Sequence, residues 1–271
     1  MSVINTNVSA LRAQNAMTVN ARAQSTAMEQ LSTGSKVNSA KDDAAGLAIG
    51  QNMTSQVRGL NQAVRNLNDG INMMQTAEGA LGETSNMLQR MRELAVQSAN
   101  GSYSSDQRSY LQTEFVALSA QIGKIATDTN WNDQSLLAAA STVFTYQAGK
   151  DSGQTVGVTI NAMTLTGLNI TATTTVSTTT ASASLATLDS AIGLVNTQRA
   201  TIGAGINQMT YAADNLSNVA ANAAASRSSI MDTDYATAST QLSKAQIIQQ
   251  AATAMLAQAN QQPASVLTLL K

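Results

Sequence analysis

The sequence predicts a mainly α-helical protein, with long antiparallel coiled-coil helices and one small β-hairpin. Three observations predict it. Apolar residues recur at alternating spacings of three and four along most of the chain, which is the seam of a coiled coil. Charged residues are only 11% and aromatics 3% of the 271 residues. Large aromatic side chains usually fill thick cores, so this chain is suited to thin helix-on-helix packing built from Ala, Met, Leu and Ile. Finally, the apolar period drops from the helical value to two at one place only, just after Thr142.

The first helix begins near Asn5 or Thr6, either of which can cap it. Ile4, Val8, Leu11 and then, less regularly, Met17, Met28 and Leu31 give it an apolar stripe. Gly34 in LSTGSK suits the left-handed position that ends a helix. In KDDAAGLAIG, Asp42 or Asp43 can cap the next helix, where negative charge faces the positive end of the dipole. Capping is therefore the role assigned to Lys41, Asp42 and Asp43, rather than charge chemistry. Val57, Leu60, Val64, Leu67, Ile71 and Met74 keep a regular seam, which slips by one residue and continues through Ala77, Leu81, Leu88, Met91 and Ala95. This is one helix from Asp43 to about Ala99, about 85 Å long at ~1.5 Å per residue. Gly46, Gly50, Gly59, Gly70, Gly79 and Gly82 lie inside it, so tertiary packing has to hold it.

NGSYSSD is a turn, and Ser104 to Asp106 cap a shorter helix with Leu111, Phe115, Leu118, Ile122 and Ile125 inward. That helix ends near DTNWND. VFTYQ, AGKDSG and TVGVTI form a β-hairpin. Residues 163–182, centred on TATTTVSTTTASAS, are low in complexity and have no helical stripe, so they are expected to be a short extended or irregular surface segment. Leu185, Leu188, Ile192, Val195, Ile202, Ile206, Met209, Ala213, Leu216 and Ala220 keep one register, interrupted at Arg199. Asp232 or Asp234 caps the last helix, whose stripe is Leu242, Ala245, Ile248, Ala252, Met255 and Ala259, and whose tail Pro263 interrupts. Nothing between Lys244 and Lys271 carries a charge. The two ends match in length and in poverty of charge, so both termini are expected to meet at one end of an antiparallel layout.

Without Cys or His, the chain has no thiol or imidazole nucleophile, no histidine base, and nearly no route to a zinc, copper or haem site. No acid pair, phosphate loop or nucleophile–base arrangement occurs, so no enzyme activity and no cofactor is expected. The twelve methionines read as adaptable packing. No apolar run is long enough to span a bilayer, no ordinary signal peptide is visible at the start, and no basic block points to nucleic acid. A net charge of −1 gives little colloidal protection to a free monomer, which points to a subunit that covers its surface with its own copies.

Four long blocks carry a resemblance: MSVINTNVSALRAQN, LSTGSKVNSAKDDAAGLAI, QRMRELAVQSANG, and RSSIMDTDYATASTQLSKAQIIQQAATAMLAQANQQPASVLTLLK. They resemble the ends of bacterial flagellins, over about residues 1–135 and 185–271. The resemblance implies a terminal coiled-coil domain of 1–35 plus 235–271 forming the inner filament core. It also implies a helical middle domain of 40–141 plus 183–232, and residues 142–182 as hairpin and variable segment, with the outer domain nearly absent. The family's Phe-Asn-Gly after the second helix stands here as Trp131, Asn132, Asp133.

On that resemblance the function is a structural subunit of the flagellar filament, exported by the flagellar type III apparatus, with its termini folding as it polymerises. A heterologous contact that does not close on itself generates such a filament. The assembly interface is expected at Ile4, Val8, Leu11, Leu242, Ile248, Met255, Val266, Leu269 and Leu270. An export chaperone, the filament cap protein and, in hosts, the Toll-like receptor for flagellin are the implied partners, the receptor contacting Arg90, Leu94 and Glu114. Val266, Leu267, Leu269 and Leu270 also resemble the segment read by cytosolic flagellin sensors. Ser and Thr between Ser141 and Ser184 read either as a plain solvated tract or as acceptors of O-linked sugar. The alternatives are a surface ligand-binding protein, for which one Trp, two Phe and five Tyr are few pocket-lining residues, and a hook–filament junction protein.

Overall fold

The computed structural model describes the backbone of residues 6–171 and 173–268, with side chains through residue 261. In chain order the elements are α1 (Val8–Thr33), α2 (Ala44–Ala99), α3 (Ser105–Asp128), β1 (Asn130–Trp131), β2 (Gln134–Ser135), β3 (Thr142–Gln147), β4 (Thr155–Ile160), α4 (Thr178–Met231) and α5 (Tyr235–Thr268). No described helix is long and apolar enough to cross a membrane.

The chain divides into two compact units. One runs from Arg58 to Ala220; the other combines the segments up to Val57 and from Ala221 onward. The division falls inside α2 and α4, not in the turns near residues 35–40 and 232–235. The β3–β4 hairpin belongs to the Arg58–Ala220 unit.

That unit has a conventional core. Leu67, Met74, Leu81, Leu88 and Met91 of α2, Phe115 and Ile122 of α3, and Leu188, Val195, Ile202 and Met209 of α4 are fully buried. Ser104 caps α3 through a reciprocal box: its hydroxyl accepts from the Gln107 N–H, and the Gln107 side chain accepts from the Ser104 N–H. The heptad reading of α4 placed an interruption at Arg199. The residue that enters the core there is Gln198, both ends of whose amide are bonded: Nε2 donates to the Thr159 carbonyl at 2.9 Å and Oε1 accepts from the Asn161 N–H at 3.1 Å. Arg199 points to Glu78 at 2.8 Å.

β3 and β4 pair antiparallel from Thr142↔Ile160 to Gln147↔Thr155. Val156, Val158 and Ile160 face inward. The hairpin sits close because glycines face it: a Cβ at Gly205 would lie 2.6 Å from Val158 Cγ2, and one at Gly70 would lie 2.9 Å from the Tyr146 ring. The Tyr146 hydroxyl donates to Met73 Sδ at 3.2 Å, and burial pushes its pKa up to about 12.

Two parts of this unit correct the sequence reading. First, NWNDQS is a second, two-residue hairpin, with Asn130↔Ser135 and Trp131↔Gln134 paired. Asn132 and Asp133 both adopt positive φ, at 48° and 62°. Those are the angles of a type I′ turn, and Asn and Asp are among the residues that tolerate them. The turn delivers Leu136 and Leu137 into the core. Second, the described part of the Thr-rich tract is irregular up to Ser177, as expected, but it is anchored in the core instead of lying on the surface. Met163, Leu168, Ile170 and Thr175 are buried. The Met163 N–H donates to the Leu137 carbonyl at 2.8 Å, Ser98 Oγ donates to the Thr175 carbonyl, and Gln112 Oε1 accepts from the Thr175 N–H and hydroxyl. α4 begins inside the tract, at Thr178, because Ser177 caps it: the Thr180 N–H donates to Ser177 Oγ and the Ser177 N–H donates to Thr180 Oγ1.

Candidate assembly surface

The unit formed by the terminal segments is built around α1 and α5, which pack antiparallel. Asn7, not Asn5 or Thr6, caps α1, its Oδ1 accepting from the Ala10 N–H at 3.0 Å. Gly34 ends the helix at φ 71°. Asp43 caps α2, accepting from the Gly46 N–H, while Asp42 is held by the hydroxyl and N–H of Ser39, which lowers its pKa. Asp234 caps α5, accepting from the Thr237 hydroxyl and the Ala236 N–H, and those bonds also hold its carboxyl below the usual range. The two linkers pair with each other: the Thr233 N–H donates to the Gly34 carbonyl at 3.0 Å and the Lys36 N–H to the Met231 carbonyl at 2.6 Å. Val37 is buried beside them.

The seam between α1 and α5 is small and polar. On α1 it runs through Ala10, Ala13, Met17, Asn20, Gln24, Ala27 and Leu31, and on α5 through Ala238, Leu242, Ala245, Gln249, Ala252, Leu256 and Ala259. Asn20 Nδ2 donates to the Ala245 carbonyl at 2.7 Å and to Gln249 Oε1 at 3.2 Å, which satisfies it inside the seam. Alanine at half of these seam positions lets the helices approach closely.

Several larger apolar side chains of the same helices are left in water. Val8, Leu11, Val19 and Met28 of α1 and Ile247, Ile248 and Met255 of α5 are exposed, Leu11 at 58%, Val19 at 60% and Met255 at 66%. Val8, Leu11, Ile248 and Met255 of the expected interface thus lie off the intramolecular seam, whereas Leu242 is part of it. The expected α5 stripe mixed the two faces: Ala245, Ala252 and Ala259 face α1, but Ile248 and Met255 do not. Ile4, Leu269 and Leu270 lie outside the described residues, as does the side chain of Val266. α5 continues as helix past Pro263 to Thr268, so the proline does not interrupt it.

A second surface lies on α2 and α3. Arg90 Nε donates to Glu114 Oε1 at 2.8 Å and Nη1 to Glu93 Oε2 at 3.0 Å. Glu114 first and Glu93 second hold the guanidinium more firmly protonated than usual. Beside them Arg92 reaches Asp189. Leu94 does not belong to this surface. It is 0% exposed, packed in the core with Leu88, Met91 and Ala95, so its side chain is closed to a partner. Arg90 and Glu114 are exposed on neighbouring helices.

A mainly helical chain whose terminal helices bury alanine and leave valine, isoleucine and methionine in water has the form of a subunit that other copies complete. The comparisons place it more narrowly. The family model for the bacterial flagellin N-terminal helical region matches residues 4–142, and that for the C-terminal helical region matches residues 185–270. A flagellin of Halalkalibacterium halodurans is 40% identical over 271 residues, covering 99% of this chain and 100% of the relative. Flagellin B of Vibrio cholerae is 36% identical over an alignment of 371 positions, covering 98% of this chain and 99% of the relative, which is therefore longer. A putative flagellar hook-associated protein from Vibrio parahaemolyticus has the same fold at a TM-score of 0.60 and 16% identity, over 70% of this chain and 100% of that one. The chain belongs to the flagellin family. It is a structural protein, not an enzyme, and a subunit that self-assembles into the extracellular filament of the bacterial flagellum.

Proposed function

We propose that neighbouring copies cover the outward faces of α1 and α5, with Val8, Leu11, Ile248 and Met255 among the residues they bury. The terminal segments 1–35 and 235–271 then form the inner layer of the filament. One observation carries this reading: apolar side chains large enough to drive association stand in water on two helices whose fully closed seam positions are alanine and Asn20. Each such side chain is worth about 1.5–3 kcal/mol if buried, and a monomer leaves that unused. The poverty of charge supports close packing of many copies, since like charges brought together axially would repel.

The partners implied by family membership complete the proposal. Export runs through the flagellar type III apparatus, a chaperone holds the terminal helices before assembly, and a cap protein receives the subunit at the growing end. In hosts, the Toll-like receptor for flagellin engages the α2–α3 surface at Arg90 and Glu114, where one guanidinium and two carboxylates stand in solvent. Leu94 is not proposed as a contact.

Removing residues 235–271 tests the central claim. Electron microscopy is expected to find no filaments even with seeds. Circular dichroism is expected to show that the Arg58–Ala220 unit still melts cooperatively near its original midpoint. Filament growth by the shortened chain would overturn the assignment of α5.

A further inference from the structure

The chain has one proline, Pro263, and it lies inside α5. In a helix the N–H of each residue donates to the carbonyl four residues earlier, and proline has no N–H to give. The Ala259 carbonyl therefore lacks its helical donor. Asn7 Nδ2 donates to that carbonyl, at 2.7 Å. The other end of the same amide is also engaged, since Asn7 Oδ1 accepts from the Ala10 N–H and caps α1.

The alanines of the seam alone are a poor ruler, and Asn20 with Gln249 marks the register only at its middle. On α5, Ala238, Ala245, Ala252 and Ala259 repeat every seven residues, and on α1 Ala13 and Ala27 flank Asn20 at the same interval. A slip of one heptad would keep the alanines on small residues, with Asn20 then facing Leu242 in place of Gln249. It would move Asn7 opposite Ala252, whose carbonyl has a helical donor in the Leu256 N–H. The linker bridge between Gly34 and Thr233 pins the near end of the helix pair, while Asn7 sits at the far end.

We propose that Asn7, the Ala259 carbonyl and the gap left by Pro263 form a matched lock that fixes α1 on α5 in the register the filament requires. Asn7 is a positioning residue here: it caps α1 and fills the free carbonyl of α5 together, and only in this register. The proposal rests on the terminal unit being the part that assembles.

A double-mutant cycle in the full-length chain tests it. Asn7→Asp keeps the capping oxygen but removes the donor. Pro263→Ala supplies the Ala259 carbonyl with a helical N–H. With Pro263 present, N7D is expected to raise the critical concentration for polymerisation roughly three- to tenfold, the equivalent of one lost hydrogen bond. In the P263A background the same substitution is expected to change it by less than about twofold, because the carbonyl no longer depends on Asn7. Equal effects of N7D in the two backgrounds would overturn the lock, since a mere capping role is indifferent to Pro263. If a variant does not polymerise, hydrogen exchange of α1 amides in the monomer reads the same cycle. N7D should then speed exchange severalfold only while Pro263 is present, and equal acceleration in both backgrounds overturns the lock. A wild-type chain that cannot be seeded into filaments would instead sink the assembly reading, and the exchange cycle would still decide the lock.

Discussion

The two compact units of this chain use opposite side chains for the same geometry. Between Arg58 and Ala220, helices meet through leucine, methionine, isoleucine and phenylalanine, all closed to water. Between α1 and α5 the closed positions are Asn20, Ala27, Ala238, Ala245 and Ala259. A buried leucine removes several methylene groups from water, at ~0.8 kcal/mol each, where an alanine removes one methyl. The first unit can therefore hold itself together. The second relies on seam hydrogen bonds, a linker bridge and close approach, and keeps several of its larger apolar groups outside. A low density of internal burial leaves this unit marginal by itself and dependent on its neighbours for further stability.

That contrast can be broken most decisively by making the same kind of change in each unit. Leu81→Ala removes a fully buried side chain of α2 and should cost about 2–5 kcal/mol of monomer stability, read as a lower melting temperature of the Arg58–Ala220 unit. Leu11→Ala removes an exposed one and should change monomer stability by less than ~0.5 kcal/mol, yet raise the critical concentration for assembly severalfold. A large loss of monomer stability from Leu11→Ala would mean that the terminal unit has an internal core after all.

Next in size is the hairpin seat. Gly205→Ala would place a methyl 2.6 Å from Val158 Cγ2. Helix propensity favours the change, but overpacking of this kind typically costs 1–3 kcal/mol, so a net loss is expected in thermal unfolding. Gly79→Ala meets nothing within 4 Å and should stabilise α2 by about 0.5–1 kcal/mol. A gain at both positions would show that the hairpin shifts aside.

The smallest effect is at high pH. Burial raises the Tyr146 pKa from 10.0 to about 12, so the folded state favours the neutral phenol. Stability from this group is fully present below pH 10 and is lost as the pH rises from 10 towards 12. Phenolate absorbance should show a late titration step, and Tyr146→Phe should remove it.

Much of this was legible in the residues. The seam from Leu60 to Ala95, the Gly34 stop, the Ser104 cap and the β3–β4 hairpin follow from periods and capping chemistry, which are local. What the sequence hid was the choice between faces. Ala245 and Ile248 both satisfy a helical stripe, and hydrophobicity alone favours Ile248. Close approach of the backbones selects Ala245 instead, and that depends on the partner helix. Leu94 was misplaced for a related reason: a matched motif says nothing of which way a side chain turns, and the α2 register turns this one inward. The Thr-rich tract misled because its composition is that of solvated linkers, while the groups that fix it, Gln112 and Ser98, lie far away in the chain. Asn132 and Asp133 did carry a readable signal, since two adjacent residues of that kind between short extended segments permit a type I′ turn.

Among the methionines of the described residues, only Met28 and Met255 are exposed, and both lie on the terminal helices. Thioethers in water are oxidised by peroxides far more readily than buried ones, gaining an oxygen and becoming polar sulfoxides. Mild peroxide should therefore mark α1 and α5 first and leave Met73, Met74, Met91 and Met209 untouched. A molecule so marked would keep its inner fold and lose its neighbours, and reduction of the sulfoxides would return them.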